Sequence, residues 1–316
     1  MPEKQTQTTF GKPEEEKVEK GTFRFHPVKK KTFEGIIEEL ETVHNRDRFY
    51  ALFSGGKDSM TVAHKLSEMG KLESILYIKT NIGLSVTTDF VEDICQEYGW
   101  HLEIREPAPK FIYADYVLQY GFPGPGFHKQ IMGRLKYSTM RRFAFSVDKK
   151  RHCLISGVRK FESQRRMGNY KHPILNDGLL WFGSPIFYLS SEETYRYVHE
   201  NNLKISPAYN LGLSTSGECM CGSFAVKGEK MTIKEIDPKL AEYIEWLEDG
   251  IQKVGTPMAR RFSKWGGQAK MSELEQQQQM NQFFEENSEL RGTEEVESVV
   301  CGEECGAGTM RGMMDY

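Results

Sequence analysis

The stretch Arg48-Phe49-Tyr50-Ala51-Leu52-Phe53-Ser54-Gly55-Gly56-Lys57-Asp58-Ser59-Met60 decides the fold of this chain. An apolar run leads into two adjacent glycines, and a helical pattern follows at Val62, Ala63, Leu66 and Met69, so the order is strand, loop, helix. Two glycines let the backbone turn sharply and bring its N–H groups against an anion. The following helix N-terminus adds partial positive charge, and Ser54, Lys57 and Ser59 supply further donors. Such a loop is a cradle for a polyphosphate. The spacing is not Gly-x-x-x-x-Gly-Lys, so chemistry that cleaves between β- and γ-phosphates is not indicated. A plain Gly-Gly turn would account for the glycines, but not for the whole set of residues in this strand-to-helix context.

Outward from the loop, the chain alternates. Strands are expected near 49–53, 74–79, 101–105 and 152–157, separated by helices near 59–69, 87–98, 110–119 and 129–147. That alternation demands a parallel sheet with right-handed crossovers, and ligands then gather at the strand C-termini. Before the first strand, Thr32 is an N-cap for a helix with the apolar stripe Phe33, Ile36, Ile37, Leu40 and Val43. After the sheet, Ser190-Ser191-Glu192-Glu193 forms a capping box, and Asp237-Pro238 opens another helix. Residues from Ser272 to Leu290 are Gln-rich and weakly amphipathic, leading to a Gly-rich tail.

A chain of 316 residues accommodates one α/β domain of ~200 residues with helical extensions. The expected division is a polar arm over 1–31, the domain over 32–225, and a helical extension with a cysteine-containing tail over 226–316. The net charge is −3, but the average hides a segregation. Between Phe127 and Lys171 there are 13 Lys or Arg against two acids, whereas from Met271 to Tyr316 there are 11 acids against two Arg. A basic block beside a phosphate loop suggests a polyanionic substrate, either a nucleotide or a nucleic acid; solvated helix faces are the plainer alternative. No apolar run reaches the ~20 residues of a membrane span, and Met1 to Lys20 has no apolar segment of a signal peptide, so a cytoplasmic protein is expected.

Six cysteines are too few for a disulfide scaffold in a chain of this length. Cys95, on an apolar helix face, and Cys153, in a strand, are expected as small buried hydrophobes. The other four form two close pairs, Cys219-Met220-Cys221 and Cys301-Gly302-Glu303-Glu304-Cys305. Two such pairs suggest one four-thiolate site holding either a [4Fe–4S] cluster or a tetrahedral zinc, between which the sequence does not choose.

The loop Ser54-Gly55-Gly56-Lys57-Asp58-Ser59 resembles the PP-loop, Ser-Gly-Gly-x-Asp-Ser, of ATP pyrophosphatases. After the strand at 152–157, Gly157-Val158-Arg159-Lys160-Phe161-Glu162-Ser163-Gln164-Arg165-Arg166 is similar to the second signature of the PAPS reductase family, the adenine nucleotide α-hydrolase-like group. Pro185 to Tyr195 and Pro207-Ala208-Tyr209-Asn210-Leu211-Gly212 resemble that family's end-of-domain pattern, so the likeness covers roughly 48 to 225. It implies ATP and Mg²⁺ as cofactors, with Ser54, Gly55, Gly56, Lys57, Asp58, Ser59, Thr80, Gly157, Glu162 and Ser163 about the nucleotide. Lys57, Asp58, Arg159 and Arg166 are the implied catalytic residues. Guanidinium forks suit phosphate oxygens, which favours Arg159 and Arg166 as anion holders, with Glu162 orienting one of them.

Reductases that take an already adenylylated sulfate carry a degraded phosphate loop, and this one is intact. The expected activity is therefore an ATP α/β-pyrophosphatase that adenylylates an oxygen which sulfur later displaces. Expected partners are tRNA or DNA as acceptor, a cysteine desulfurase or other sulfur donor, and a second copy of the chain. Two alternatives stand beside it. Glu304-Cys305-Gly306 is similar to the tail whose cysteine attacks sulfonucleotides, which would make the protein a PAPS or APS reductase with Cys305 as nucleophile. A nucleotide-binding regulatory subunit would keep the fold and lose the chemistry.

Overall fold

The computed structural model describes residues 30–108, 112–160, 171–213 and 215–269. The order of elements is α1 (Phe33–Thr42), β1 (Arg48–Leu52), α2 (Lys57–Glu68), β2 (Leu72–Ile78), α3 (Ser85–Tyr98), β3 (Leu102–Arg105) and α4 (Tyr113–Tyr120). There follow α5 (His128–Met132), a π-helical turn (Gly133–Tyr137), α6 (Ser138–Ser146), β4 (His152–Ile155), β5 (Ile174–Asn176) and β6 (Trp181–Gly183). The last described helices are α7 (Ser191–Glu200), α8 (Glu229–Ile236), α9 (Pro238–Val254) and α10 (Pro257–Arg261).

The strands form one sheet in the order β3-β2-β1-β4-β6-β5. All neighbours are parallel except β5 and β6, which pair antiparallel. The sheet is thus the expected parallel one with an antiparallel edge strand added. After β1 the chain builds β2 and β3 on one side, then returns to place β4 on the other. The crevice beyond β1 and β4 is the topological switch point of the sheet, where ligands of open α/β folds bind.

Alternation along the buried strands separates two apolar layers. Phe49, Ala51, Ile75, Tyr77, Cys153 and Ile155 pack with the α1 and α2 side chains in one cluster. Tyr50, Leu76, Ile78 and Leu154 pack with Tyr137, Phe143 and Ala144 in another. Thr32 caps α1 as expected, its Oγ1 accepting from the Gly35 N–H at 3.1 Å. Ser190 and Glu193 complete the capping box of α7, and Asp237 caps α9. Cys95 and Cys153 are buried in the first of these layers, with the α1 and α2 side chains, and burial pushes the Cys95 thiol up to about 12.

The expected helix over 129–147 is divided by the π-helical turn, a geometry frequent at functional sites. A third cluster joins α4, α8, α9 and α10 to Ile82, Leu84 and Cys221. The segment after residue 225 therefore packs on the sheet-bearing body through its described helices.

Candidate functional site

At the C-terminal end of β1, Gly55 takes φ +77°, a left-handed conformation that favours glycine. The turn is closed by its own serines. Ser59 Oγ donates to the Gly56 carbonyl at 2.9 Å and accepts from the Ser54 N–H at 3.3 Å. The Ser206 N–H, from a distant loop, holds the Gly55 carbonyl at 2.7 Å. Helix α2 begins directly after, with Gly56 as an N-cap that offers no side-chain acceptor. The first amides of α2 are left to an incoming anion.

Lys57 Nζ donates to Asp58 Oδ1 at 2.6 Å and lies 5.1 Å from the centre of the Tyr195 ring. The same carboxylate oxygen accepts from Arg159 Nε at 3.0 Å. Asp58 is thus shared between two cations. Arg159 is buried and stands behind Asp58, outside the cavity lining, so in this structure it braces the loop. Gly157 backs onto the same loop, where an added Cβ would come within 2.8 Å of the Asp58 carbonyl carbon.

A cavity of about 400 Å³ lies over this loop. Ser54, Gly56, Lys57, Asp58 and Ser59 form its polar floor, and Leu52, Leu76, Ile78 and Met140 its apolar wall. The remaining wall holds Lys136, from the π-helical turn, and Tyr209, Thr215, Ser216 and Glu218. Lys136 Nζ donates to Glu218 Oε2 at 2.8 Å. Burial alone would lower the Lys136 ammonium, but Glu218, with Cys219 behind it, more than reverses this and holds it above the ordinary lysine value. Among the described residues, two ion pairs thus have both members in the cavity lining, Lys57–Asp58 on the loop and Lys136–Glu218 across from it.

Residues 215–221 run as a strap over the strand ends. Thr80 Oγ1 donates to the Glu218 carbonyl at 2.7 Å, Thr87 Oγ1 to the Ser216 carbonyl at 2.6 Å, and Tyr113 Oη to the Cys221 carbonyl at 2.7 Å. Thr80, expected about the nucleotide, instead holds this strap and lines a neighbouring cavity. The strap carries Cys219 and Cys221. Their mutual interaction holds Cys221 below the ordinary thiol range and Cys219 above it. Burial opposes the shift at Cys221, while His128 Nδ1 at 3.8 Å and Ser223 Oγ at 3.3 Å support it.

Cys219 and Cys221 are both free thiols. Among the described residues no group of three or more His, Cys, Asp or Glu is placed to hold a metal ion. Glu162, Ser163, Arg166, Cys301 and Cys305 lie outside the described residues. The described thiols supply half of the expected four-thiolate set and do not by themselves fit a cluster.

Much of the basic block is engaged in the fold. Arg134 lies 5.6 Å from the Tyr116 ring centre, Arg142 donates to the Glu106 carbonyl, and Arg151 Nε donates to Asp47 at 2.7 Å. Of the block's described Lys and Arg residues, Lys136 alone lines the cavity. The expected residues that meet there are Ser54, Gly56, Lys57, Asp58, Ser59 and Gly157. Lys136, Tyr209 and Glu218 join the site without being among the candidates of the sequence. Tyr209 lies in the quoted end-of-domain pattern and Lys136 in the basic block, so each had a weak sequence signal.

Comparison with known proteins gives a family and several distant likenesses. The model of the phosphoadenosine phosphosulfate reductase domain matches residues 48–224. An uncharacterized protein of Methanocaldococcus jannaschii is 23% identical over 260 residues, covering 79% of this chain and 60% of that protein. The chain thus spans less than two thirds of that relative's length. Phosphoadenylyl-sulfate reductase from Candida auris is similar at 14% identity and TM-score 0.44, covering 58% of this chain and 86% of that one. Candida glabrata FMN adenylyltransferase, in complex with FMN and an ATP analogue, gives 14% and 0.41, covering 58% and 60%. The U34-tRNA thiolase NcsA from Methanococcus maripaludis, with its [4Fe-4S] cluster, gives 15% and 0.36, covering 73% and 80%. The family match runs from the first residue of β1 past the Cys219–Cys221 pair and spans more than half of the chain, so the protein belongs to the phosphoadenosine phosphosulfate reductase domain family.

Proposed function

We propose that this protein binds ATP over the 54–59 loop, cleaves it between the α- and β-phosphates, and transfers AMP to an acceptor oxygen that sulfur then displaces. The observation that carries this reading is the intact loop. Ser54 to Ser59 keeps every polar residue of its pattern, with Lys57 at the start of α2 and the loop facing a cavity at the sheet's switch point. Such a cradle is suited to stabilising the charge of a leaving pyrophosphate.

The apolar wall of Leu52, Leu76, Ile78 and Met140 suits a flat base, and the loop end suits the phosphates. The acceptor oxygen attacks the α-phosphorus, the bond to the bridging oxygen breaks, and pyrophosphate leaves toward the loop amides and Lys57. Asp58 and Glu218 present carboxylate oxygens to the cavity, a hard donor set that suits Mg²⁺. Bound there, Mg²⁺ would neutralise phosphate charge. Both carboxylates are already paired with ammonium groups, so a bound polyphosphate must redistribute these contacts.

The experiment is pyrophosphate and AMP release from ATP and Mg²⁺ by anaerobically purified protein, with and without bulk tRNA or DNA, beside a sulfite assay from PAPS. Lys57→Ala is expected to cut pyrophosphate release by about a hundredfold or more with unchanged thermal stability. Sulfite from PAPS without ATP cleavage, or full activity of Lys57→Ala, would overturn the assignment.

A further inference from the structure

A second cavity, of about 690 Å³, opens at the same end of β2. Leu76 and Ile78 line the first cavity while Tyr77 and Lys79 line the second, so the two lie on opposite faces of the sheet. Its near wall, from β2 and α3, belongs to the family-matched stretch; its far wall, Ile236 to Tyr243, lies beyond residue 224, where the match ends. The cavity is completed by a segment that this chain adds to the family domain.

The chemistry of the lining is mixed. Ile236, Leu240 and the Tyr243 ring give an apolar side, and Lys79 and Lys239 bring two exposed ammonium groups. Asp89 is exposed, with Glu106 standing 4.0 Å from Lys79. Asp237 is committed elsewhere, its carboxylate accepting from the Ser85 and Leu240 N–H groups. At the rim, Asn81 holds a left-handed φ of +60°, a conformation that non-glycine residues keep mainly where the surroundings require it.

Tyr243 stacks on Trp246, with ring centres 5.9 Å apart and planes 14° from parallel. Trp246 is 55% exposed and lies outside the lining of the cavity. Lys239, Tyr243 and Trp246 occupy positions i, i+4 and i+7 of α9, one face of that helix. The cavity thus continues into a second flat aromatic surface, which is more than a single nucleotide needs. Aromatic faces accept bases with little regard to sequence, ammonium groups neutralise phosphates, and a carboxylate accepts from a ribose 2′-hydroxyl.

We propose that the second cavity and the adjoining Tyr243–Trp246 pair bind a segment of single-stranded RNA. Bases lie on the two rings, a phosphate sits between Lys79 and Lys239, and Asp89 takes a ribose hydroxyl. This names the acceptor class of the reading above and rests on it, although the binding itself is measured without ATP cleavage.

The test is fluorescence anisotropy of a short labelled single-stranded RNA with the full chain, beside DNA of the same sequence and free AMP. Wild type is expected to bind RNA more tightly than DNA or AMP. Lys239→Glu and Trp246→Ala should each weaken RNA binding by about tenfold while leaving melting temperature and pyrophosphate release from ATP alone unchanged. Asp89→Asn should reduce the preference for RNA over DNA. RNA binding within twofold of wild type in both Lys239→Glu and Trp246→Ala would overturn the proposal. So would equal binding of DNA, saturation by AMP at the same surface, or competitive displacement of RNA by a non-hydrolysable ATP analogue. If ATP is not cleaved while RNA binds as described, the adenylylation reading fails and the RNA surface stands.

Discussion

The loop at 54–59 and the strap at 215–221 face each other across one cavity, yet they are held by bonds of different range. The loop's serine contacts, Ser54 to Ser59 and Ser59 to Gly56, close within five residues. The strap depends on partners far away in the chain, Thr80 and Thr87 from the β2–α3 region, Tyr113 from α4 and Lys136 from the π-helical turn. Local geometry makes the turn of the phosphate cradle, which Ser206 and Arg159 brace from a distance, whereas the wall that shapes what enters it depends throughout on the assembly of the whole fold.

If the loop is also a structural element, the largest effect will come from its shared carboxylate. Asp58→Ala leaves Lys57 and the buried Arg159 without their common acceptor, and breaking a buried pair in this way should cost about 3 kcal/mol in urea unfolding. A change below about 1 kcal/mol would mean that the backbone alone holds the loop, and would sharpen the contrast with the strap.

The strap's dependence on close approach is broken at Gly83. A Cβ there would lie 2.4 Å from the Glu218 carbonyl oxygen, so Gly83→Ala must push the strap outward. The expected cost is about 2 kcal/mol, with Cys219 becoming more reactive toward a maleimide probe. Unchanged reactivity together with unchanged stability would show that the strap moves freely.

The smallest effect belongs to the Lys136–Glu218 pair. Its side chains are 24% and 13% exposed, and a double-mutant cycle with Lys136→Met and Glu218→Gln should give a coupling of about 1 kcal/mol. Saturating nucleotide should reduce that coupling if phosphate competes for Lys136. A coupling indifferent to nucleotide would separate the two ion pairs of the cavity.

What was legible in the sequence follows the same division. The phosphate loop, the Thr32 and Asp237 caps and the Ser190–Glu193 capping box are local signals, and the structure places each as expected. The parallel strands were legible as alternating apolar runs. Strands β5 and β6 are three residues each, too short to show a period, so the antiparallel edge left no pattern. The assignment of Arg159 followed from its chemistry, but the carboxylate that captures it lies 101 residues away. Lys136 and Glu218 are 82 apart, and no spacing rule joins them.

The π-helical turn at Gly133–Tyr137 carries a consequence for the length of the chain there. A π turn is one residue wider than an α turn, and each residue of an α-helix advances the side chains by about 100°. Removing a single residue upstream within that turn would return the segment to regular α geometry and swing Lys136 away from the cavity, with the residues of the phosphate loop unchanged. The count of residues between His128 and Lys136, as much as their identity, puts an ammonium group opposite the phosphate loop.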